Sequence, residues 1–467
     1  MGENTLPTHR ESPQWGHRGM PWIRVVFLLL IIFAPCATEA LRLPSFSKTS
    51  GTVRSEIAPI QLPTSSPKYY WDLSRVAFSL LPLAPGARRK TIFSEVVKGS
   101  VWTADQLQGI VNVNVPVRGV IIRLKSGGLL VYNPVAPTGE VLSYMRELEE
   151  AHGPVRHIVL GSLGLEHKAL CGPFTRYFPQ AQCWQQPGQW SFPANLPSFF
   201  FGFPLRRLRD IPADGTNPWA EDFDIAVLGP LKFKSVGGFG ETAMFHRQSK
   251  TLLVTDAILK VGSVAPPIIL EDPRAVLFHS RDDMLDAVRD TEEARRIGWR
   301  RMVLFGLFFF PSGIRVSGIV ETFKKLPDVD PAARLLGVGA LPAAGLYPWS
   351  WQPRGEEKNF AALQEGLLVA PILRKLILNR EPERVLKWVD AICQWGFTRI
   401  IPSHFENDVR ATAKDVRLAY QFLQPRTRGA RAAAGARGLR EDYSLLNTLS
   451  EVFTRLGVVA PPQVTES

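Results

Sequence analysis

The sequence predicts an α/β fold, a sandwich of buried strands and covering helices, with an irregular aromatic insertion and helical additions near the C-terminal end. Three observations predict it. Short apolar runs, Val155–Leu160, Thr251–Thr255 and Thr398–Ile401, have the length and composition of buried strands. Each is followed closely by acid or imidazole: Glu166-His167 in Leu165-Glu166-His167-Lys168, Asp256 after Leu252-Leu253-Val254-Thr255, and His404 after Ile400-Ile401-Pro402-Ser403. Helix-period segments separate the runs, so polar groups at strand C-terminal ends can converge on one sheet edge.

Taken in order, Ile110–Asn114 and Val117–Leu124 are rich in β-formers, and Lys125-Ser126-Gly127-Gly128 turns the chain into Leu129–Asn133 as a hairpin. Thr138 is placed to cap a helix over Gly139–His152, whose Val141, Leu142, Met145 and Leu148 share one face. Strand Val155–Leu160, the Glu166-His167 loop, a helix from Lys168 and strand Ala181–Trp184 follow. From Pro187 to Trp219, Pro, Phe and Trp crowd together without a period and read as an irregular aromatic insertion.

Phe223–Leu228, Thr242–His246 and Thr251–Thr255 resume the strand pattern around the polar turn Arg247-Gln248-Ser249-Lys250, and Gly237-Gly238-Phe239-Gly240 reads as another turn. Arg281–Ile297 has the pattern of a charged amphipathic helix. Met302–Phe310 is apolar but too short to span a bilayer, and suits either a buried helix or an aromatic surface resting on a membrane. Asp328–Lys358 is Pro/Gly-rich connection, Phe360–Cys393 is helical, and strand Thr398–Ile401 delivers His404 ahead of a helix over Glu406–Leu423.

With 467 residues, 45% of them apolar and 21% charged, the chain can bury a large core in one or two domains. The formal charge of +12 invites a nucleic-acid partner, but part of it sits in Pro425-Arg426-Thr427-Arg428-Gly429-Ala430-Arg431 and Gly435-Ala436-Arg437-Gly438-Leu439-Arg440. Lacking interleaved aromatics for base stacking, this stretch reads as a flexible linker and nucleic acid is disfavoured. A short amphipathic helix, Tyr443–Leu456, follows it.

Arg18 and Arg24 precede the apolar run Val25–Phe33, and Ala37-Thr38-Glu39-Ala40 offers small residues for cleavage, so residues 1–40 read as a signal peptide. Leu41–Lys68 is rich in Ser and Thr, with Arg42, Lys48, Arg54 and Lys68 against a single acid, Glu56, the composition of a transit peptide. Together they resemble bipartite plastid targeting, with secretion as the alternative. The remaining divisions are a main domain over 69–424, the linker 425–441 and a helical tail 442–467. Cys36 leaves with the signal, and Cys171, Cys183 and Cys393 form neither a disulfide framework nor a Cys-x-x-Cys pair. A Gly-x-Ser-x-Gly elbow, a phosphate loop and a His-Glu-x-x-His helix are all absent from the sequence.

The phrase Ser162-Leu163-Gly164-Leu165-Glu166-His167 stands where the metallo-β-lactamase superfamily carries its His-x-His-x-Asp-His loop, and the order strand, helix, strand, ligand resembles that superfamily. The resemblance implies an αββα sandwich. It also implies that Ser162 and Gly164 replace two histidines, Glu166 replaces the aspartate and His167 remains. A later Gly-His pair would fall near Gly237–Gly240, which has no histidine, whereas Asp256 and His404 match the last two ligands. What survives is one metal position: Glu166, His167, Asp256 and His404, for a single Zn²⁺ or Fe²⁺ ion.

Further phrases, Pro116-Val117-Arg118 to Gly127-Gly128-Leu129-Leu130-Val131, Trp190-Ser191-Phe192-Pro193 and Gly298-Trp299-Arg300-Arg301, are similar to the plastid and cyanobacterial family called domain of unknown function 4336. This likeness runs from about Tyr69 to about Leu423 and brings no activity with it.

Each site residue has a second reading. His167 serves equally as a helix cap or core hydrogen-bonding group, and Glu166, one methylene longer than aspartate, as general base, outer-sphere group or capping acid. Asp256 can cap a helix from Ala257, and His404 one from Glu406. His246 and His279 lack motif support and read as structural, while Lys260 and Arg281 are available to hold an anion. The functional expectation is a mononuclear metal-dependent hydrolase of an ester, thioester or phosphoester, acting on a small molecule; the alternative is a non-catalytic binding or assembly protein with a protein partner.

Overall fold

The computed structural model describes residues 83–84, 89–110, 112–191, 195–214, 216–233, 237–337, 345–424 and 438–464. The signal and transit segments and most of the Arg/Gly/Ala linker lie outside them. One sheet is built from Leu83–Ala84 (β1), Thr91–Val97 (β2), Val101–Ile110 (β3), Val113–Arg123 (β4), Leu129–Tyr132 (β5), Val155–Leu160 (β6), Gln182–Gln185 (β7) and Leu208–Asp210 (β8). Its order is β1-β3-β4-β5-β6-β7-β8, with β2 paired to β3. A second sheet takes Phe223–Phe233 (β9), Gly237–His246 (β10) and Thr251–Val254 (β11). After a separate two-stranded antiparallel sheet of Ile314–Val316 (β12) and Trp349–Trp351 (β13), it is completed by Arg399–Pro402 (β14) and Val409–Arg410 (β15), in the order β15-β14-β11-β10-β9.

Alternation of side chains along the buried strands sorts them into layers. Leu130 and Tyr132 point into a core between the sheets, where they meet Val159, Met244, Leu253 and Ile401. Leu129 and Val131 point the other way, into a core shared with Val141, Leu142, Met145, Cys171 and Phe174. On the second sheet Leu252, Val254 and Ile400 likewise face a third core, filled by helical residues such as Trp299, Phe308, Val385 and Leu446. Helices therefore cover both outer faces, which gives the four-layer αββα sandwich expected from the resemblance.

The helices are Gly139–His152 (α1), Leu165–Thr175 (α2), Pro267–Leu270 (α3), Arg274–Ser280 (α4), Glu292–Phe308 (α5), Ile319–Lys325 (α6), Pro331–Leu335 (α7), Gly355–Leu363 (α8), Pro371–Leu376 (α9), Pro382–Ile392 (α10), Ala413–Ala419 (α11) and Ser444–Arg455 (α12). For α1 the expected cap is present, Thr138 Oγ1 accepting from Val141 N at 3.3 Å.

Several expectations need correction. Helix α2 begins at Leu165, before the expected Lys168, because Ser162 Oγ accepts from Gly164 N and the Gly164 carbonyl accepts from Lys168 N. Glu166 and His167 thus lie in its first turn. No helix covers 281–291: the Asp286 carboxylate accepts from the backbone of Asp282 and Asp283, Asp283 accepts from Leu285 N, and Thr291 then caps α5. Met302–Phe308 continues that same helix and is largely buried, so this run offers no surface to a membrane. Among the described residues no helix is long and apolar enough to cross one.

Gly237–Gly240 opens β10 and is not a turn, since it pairs with β9. The segment 406–412 is a loop with β15, not helix; Phe405 and Asp408 adopt positive φ, and α11 starts only after the Thr412 capping box. Strand β2 and most of β3 were not legible in advance. Among its described residues the aromatic insertion is irregular apart from a 3-10 turn at Ser198–Phe201 and edge strand β8, and the Pro/Gly-rich connection contains α7 and β13. The tail helix forms as α12 and docks by burying Leu445, Leu446 and Leu449.

Candidate metal centre

Strands β11 and β14 are parallel neighbours with Val254 opposite Pro402, so Asp256 and His404, each two residues further on, leave the sheet at one edge. The loop after β6 crosses from the other sheet to the same edge. There Thr242 N donates to Gly161 O at 2.8 Å and Leu163 N to Gly240 O at 3.1 Å, which sets the first turn of α2 above the site. Asn133, at the end of β5, joins all three loops: its Nδ2 donates to Thr255 Oγ1 at 2.9 Å and Ser403 Oγ at 3.2 Å, and its Oδ1 accepts from Gly161 N at 2.7 Å. It adopts φ 46°, a conformation asparagine tolerates better than most residues.

The four predicted residues come together. Glu166, His167, Asp256 and His404 each offer one ligand atom, and these atoms lie within 4.8 Å of one another. His404 Nε2 is 3.1 Å from Asp256 Oδ1 and 3.2 Å from His167 Nε2. The Pro116 carbonyl can only accept, so His404 Nδ1 carries the proton donated to it at 2.8 Å and Nε2 faces the cluster. His167 Nδ1 is buried without a hydrogen-bond partner. A Cβ on Gly164 would lie 2.9 Å from Glu166 Oε1 and 3.2 Å from His167 Cδ2, so the small residue leaves room for the Glu166 carboxylate.

Charge is divided unevenly. Burial, then the neighbouring His404, pushes His167 down to about 3. Burial alone would lower His404 too, but the hydrogen bond and charge of Asp256 raise it instead; burial works against Asp256 ionising, and His404 more than offsets that. Glu166 is raised, first by burial and then by Asp256. In the metal-free protein these shifts favour the charged forms of His404 and Asp256 and the neutral form of His167.

Glu241 is the residue that sequence reasoning missed. It immediately follows the Gly-rich phrase where the resemblance places a histidine, and a single acid in a strand gave no signal. Fully buried, its carboxylate accepts from Thr255 N at 2.7 Å, Asp256 N at 2.8 Å and Ala257 N at 2.9 Å, shaping the loop that carries Asp256. No helix starts at Ala257 or Glu406, which removes the capping alternatives for Asp256 and His404.

The other singled-out residues are committed elsewhere. His246 Nδ1 bonds to Ser249 Oγ and His279 Nε2 to Asn112 O, as structural groups. Lys260 Nζ donates to Gln364 O, and the Arg281 guanidinium stacks between the Phe278 and Tyr347 rings.

A tetrahedral ion with bonds of about 2.0–2.1 Å holds its donors roughly 3.3 Å apart. Two separations here, 3.1 and 3.2 Å, match that spacing, and two imidazoles and two carboxylates are donors such an ion accepts. The four-layer sandwich, with this donor cluster at the sheet edge, is a metallo-β-lactamase-like fold. More narrowly, the chain belongs to the family described as domain of unknown function 4336 (DUF4336), whose pattern matches residues 98–422.

No curated protein matches it. Among solved structures, the Flv1 flavodiiron core from Synechocystis sp. PCC6803, described as metal-soaked, is 9% identical with a TM-score of 0.35; the alignment covers 72% of this chain and 61% of that one. A metallo-β-lactamase from Pontibacter korlensis is 12% identical at TM-score 0.28, over 40% of this chain and 83% of its own. A flavo-di-iron protein variant from Thermotoga maritima is 7% identical at 0.34, over 71% and 61%. At such scores the overlap is loose, and the layer order rests on this chain's own sheets and cores.

Proposed function

We propose that the chain is a mononuclear metal-dependent hydrolase of an ester, thioester or phosphoester. The observation that carries this reading is the convergence of four donor groups, from the first turn of α2 and from the ends of β11 and β14, within 4.8 Å. His167 and His404 through Nε2, with the Asp256 carboxylate, would hold one Zn²⁺ or Fe²⁺, which leaves a coordination position open and Glu166 available as a base. Such an ion supplies Lewis acidity, polarising a substrate oxygen and making water more acidic. Glu166, raised by burial and by Asp256, is suited to take the proton from the attacking water, and the Pro116 carbonyl, accepting from Nδ1, keeps His404 oriented. Gly164 keeps space open beside Glu166.

Elemental analysis of protein purified without chelator or metal-binding tag tests the reading, alongside an Asp256→Ala, His404→Ala double variant. Near-stoichiometric Zn or Fe in the parent, lost in the folded variant, is expected. A folded parent with no metal would instead support a non-catalytic binding or assembly protein, which one observation favours: His167 Nδ1 lacks the outer hydrogen-bond acceptor that metal-binding histidines usually have. We place the protein in plastids on the strength of the Ser/Thr-rich, basic segment behind an apolar leader. A full-length fluorescent fusion seen only outside plastids would overturn that placement.

A further inference from the structure

We infer that Arg118 is a positioning residue for the metal centre, its buried guanidinium holding the 402–406 loop so that His404 faces Asp256 and His167. The inference rests on the reading of His404 as a ligand. Arg118 is 1% exposed and lies on β4, opposite Asp105 of β3. Its Nε is 2.7 Å from Asp105 Oδ1 in an ion pair, and its Nη2 donates to Asp105 Oδ2 at 3.1 Å. The other donors go to the loop: Nη1 to Pro402 O at 2.6 Å and Glu406 O at 3.2 Å, and Nη2 to Phe405 O at 3.0 Å.

The backbone repeats the connection, Arg118 N donating to Ser403 O at 2.9 Å, and Pro116 on the same strand accepts from His404 Nδ1. One strand thus grips both sides of His404. The loop needs the grip because Phe405 has φ 58°, a left-handed conformation unfavourable for a residue with a bulky side chain. That turn directs the carbonyls of Phe405 and Glu406 back toward β4. A planar guanidinium with five fixed donors can serve three carbonyls and a carboxylate together, whereas an ammonium offers only three donors from one point.

The test compares Arg118→Lys, which keeps the charge but not the fork, with Asp105→Asn and with Arg301→Lys. Arg301 is an equally buried control, 3% exposed and paired with Glu356 at 3.2 Å in the helical layer. Zn²⁺ affinity by chelator competition is expected to fall roughly 10- to 100-fold in Arg118→Lys, as for loss of other outer-sphere partners, and less in Asp105→Asn. Arg301→Lys should lower the melting temperature while leaving Zn²⁺ affinity unchanged.

Selective ¹⁵N labelling of histidine gives a readout that needs no metal. The His404 Nδ1–H signal should be protected from exchange in the parent and lose that protection in the Arg118 variant. Parent-like affinity together with parent-like protection in Arg118→Lys overturns the inference. If the parent binds no Zn²⁺, the metal reading fails by itself and the histidine signal still decides the role of Arg118. Should Arg118→Lys not fold, Asp105→Asn decides by the same two measurements.

Discussion

Metal-free protein is expected to unfold as the pH falls from 6.5 toward 4, and His279 is a principal cause. This imidazole is 1% exposed, with the Phe278 and Phe305 ring centroids each 5.3 Å away and Trp349 stacked at 6.3 Å. Burial, reinforced by Arg281 and Arg301, pushes it from 6.5 down to about 3 despite the Asn112 carbonyl. The folded value lies below the unfolded one, so the unfolded chain takes up a proton that the folded chain refuses. The stability tied to this group is complete above pH 6.5 and is lost as the pH falls toward 3.

A shift of that size corresponds to about 5 kcal/mol, comparable with the ~5–15 kcal/mol stability of a typical domain. His246, pushed to about 4 mainly by burial, acts in the same direction. Glutamine can still donate to the Asn112 carbonyl but does not titrate, so His279→Gln should move the acid midpoint to lower pH. Tryptophan fluorescence and far-ultraviolet dichroism against pH measure this; coincident midpoints for parent and variant would show that His279 is not responsible.

Glu241→Ala is expected to destabilise the protein by about 3 kcal/mol or more, because it strands three buried N–H donors that cost roughly 1–3 kcal/mol each when unsatisfied. The Asp256 loop loses its template in the same step, so metal binding should weaken as well. Glu241→Gln keeps one acceptor oxygen and should fall between. Urea unfolding at neutral pH provides the measurement, and a loss below about 1 kcal/mol would mean that the loop re-forms its bonds elsewhere. Burial, then Asp256, holds Glu241 up at about 7 against the pull of its three donors. Folded Glu241 therefore keeps its proton between pH 4.5 and about 7, and its contribution declines as pH rises through that window, opposite in sign to the histidines.

Legibility followed periodicity. Strand β6, helix α1 and the strands leading to Asp256 and His404 were readable because apolar runs and a Thr cap are local signals. Strands β2 and β3 were not: Thr91–Val97 is mixed in polarity, and Val101–Ile110 includes Asp105 and Gln106, whose polar groups are satisfied only by distant partners such as Arg118 and Ala136. The helix expected at 406–423 starts only at Ala413 because Arg118, remote in sequence, and Arg399, on the preceding strand, shape the loop through the Phe405 carbonyl and the Asp408 carboxylate. The four donors could be named from the sequence, since each follows a strand. Glu241, Asn133 and Arg118, which set their spacing, act through contacts no linear pattern records.

The parallel pairing of β11 with β14 has a mechanical consequence. Two adjacent strands are separated by about 4.8 Å, a distance fixed by backbone hydrogen bonds and not by side-chain choice. Asp256 and His404 are mounted on that ruler, so repacking of the outer helices cannot pull them apart without tearing the sheet. Glu166 and His167 ride on α2, a separate rigid rod, and a small slide of that rod changes all of their distances together. The centre is thus half fixed frame and half movable jaw, with the Gly161–Leu163 segment as the point where the jaw is clamped to β10.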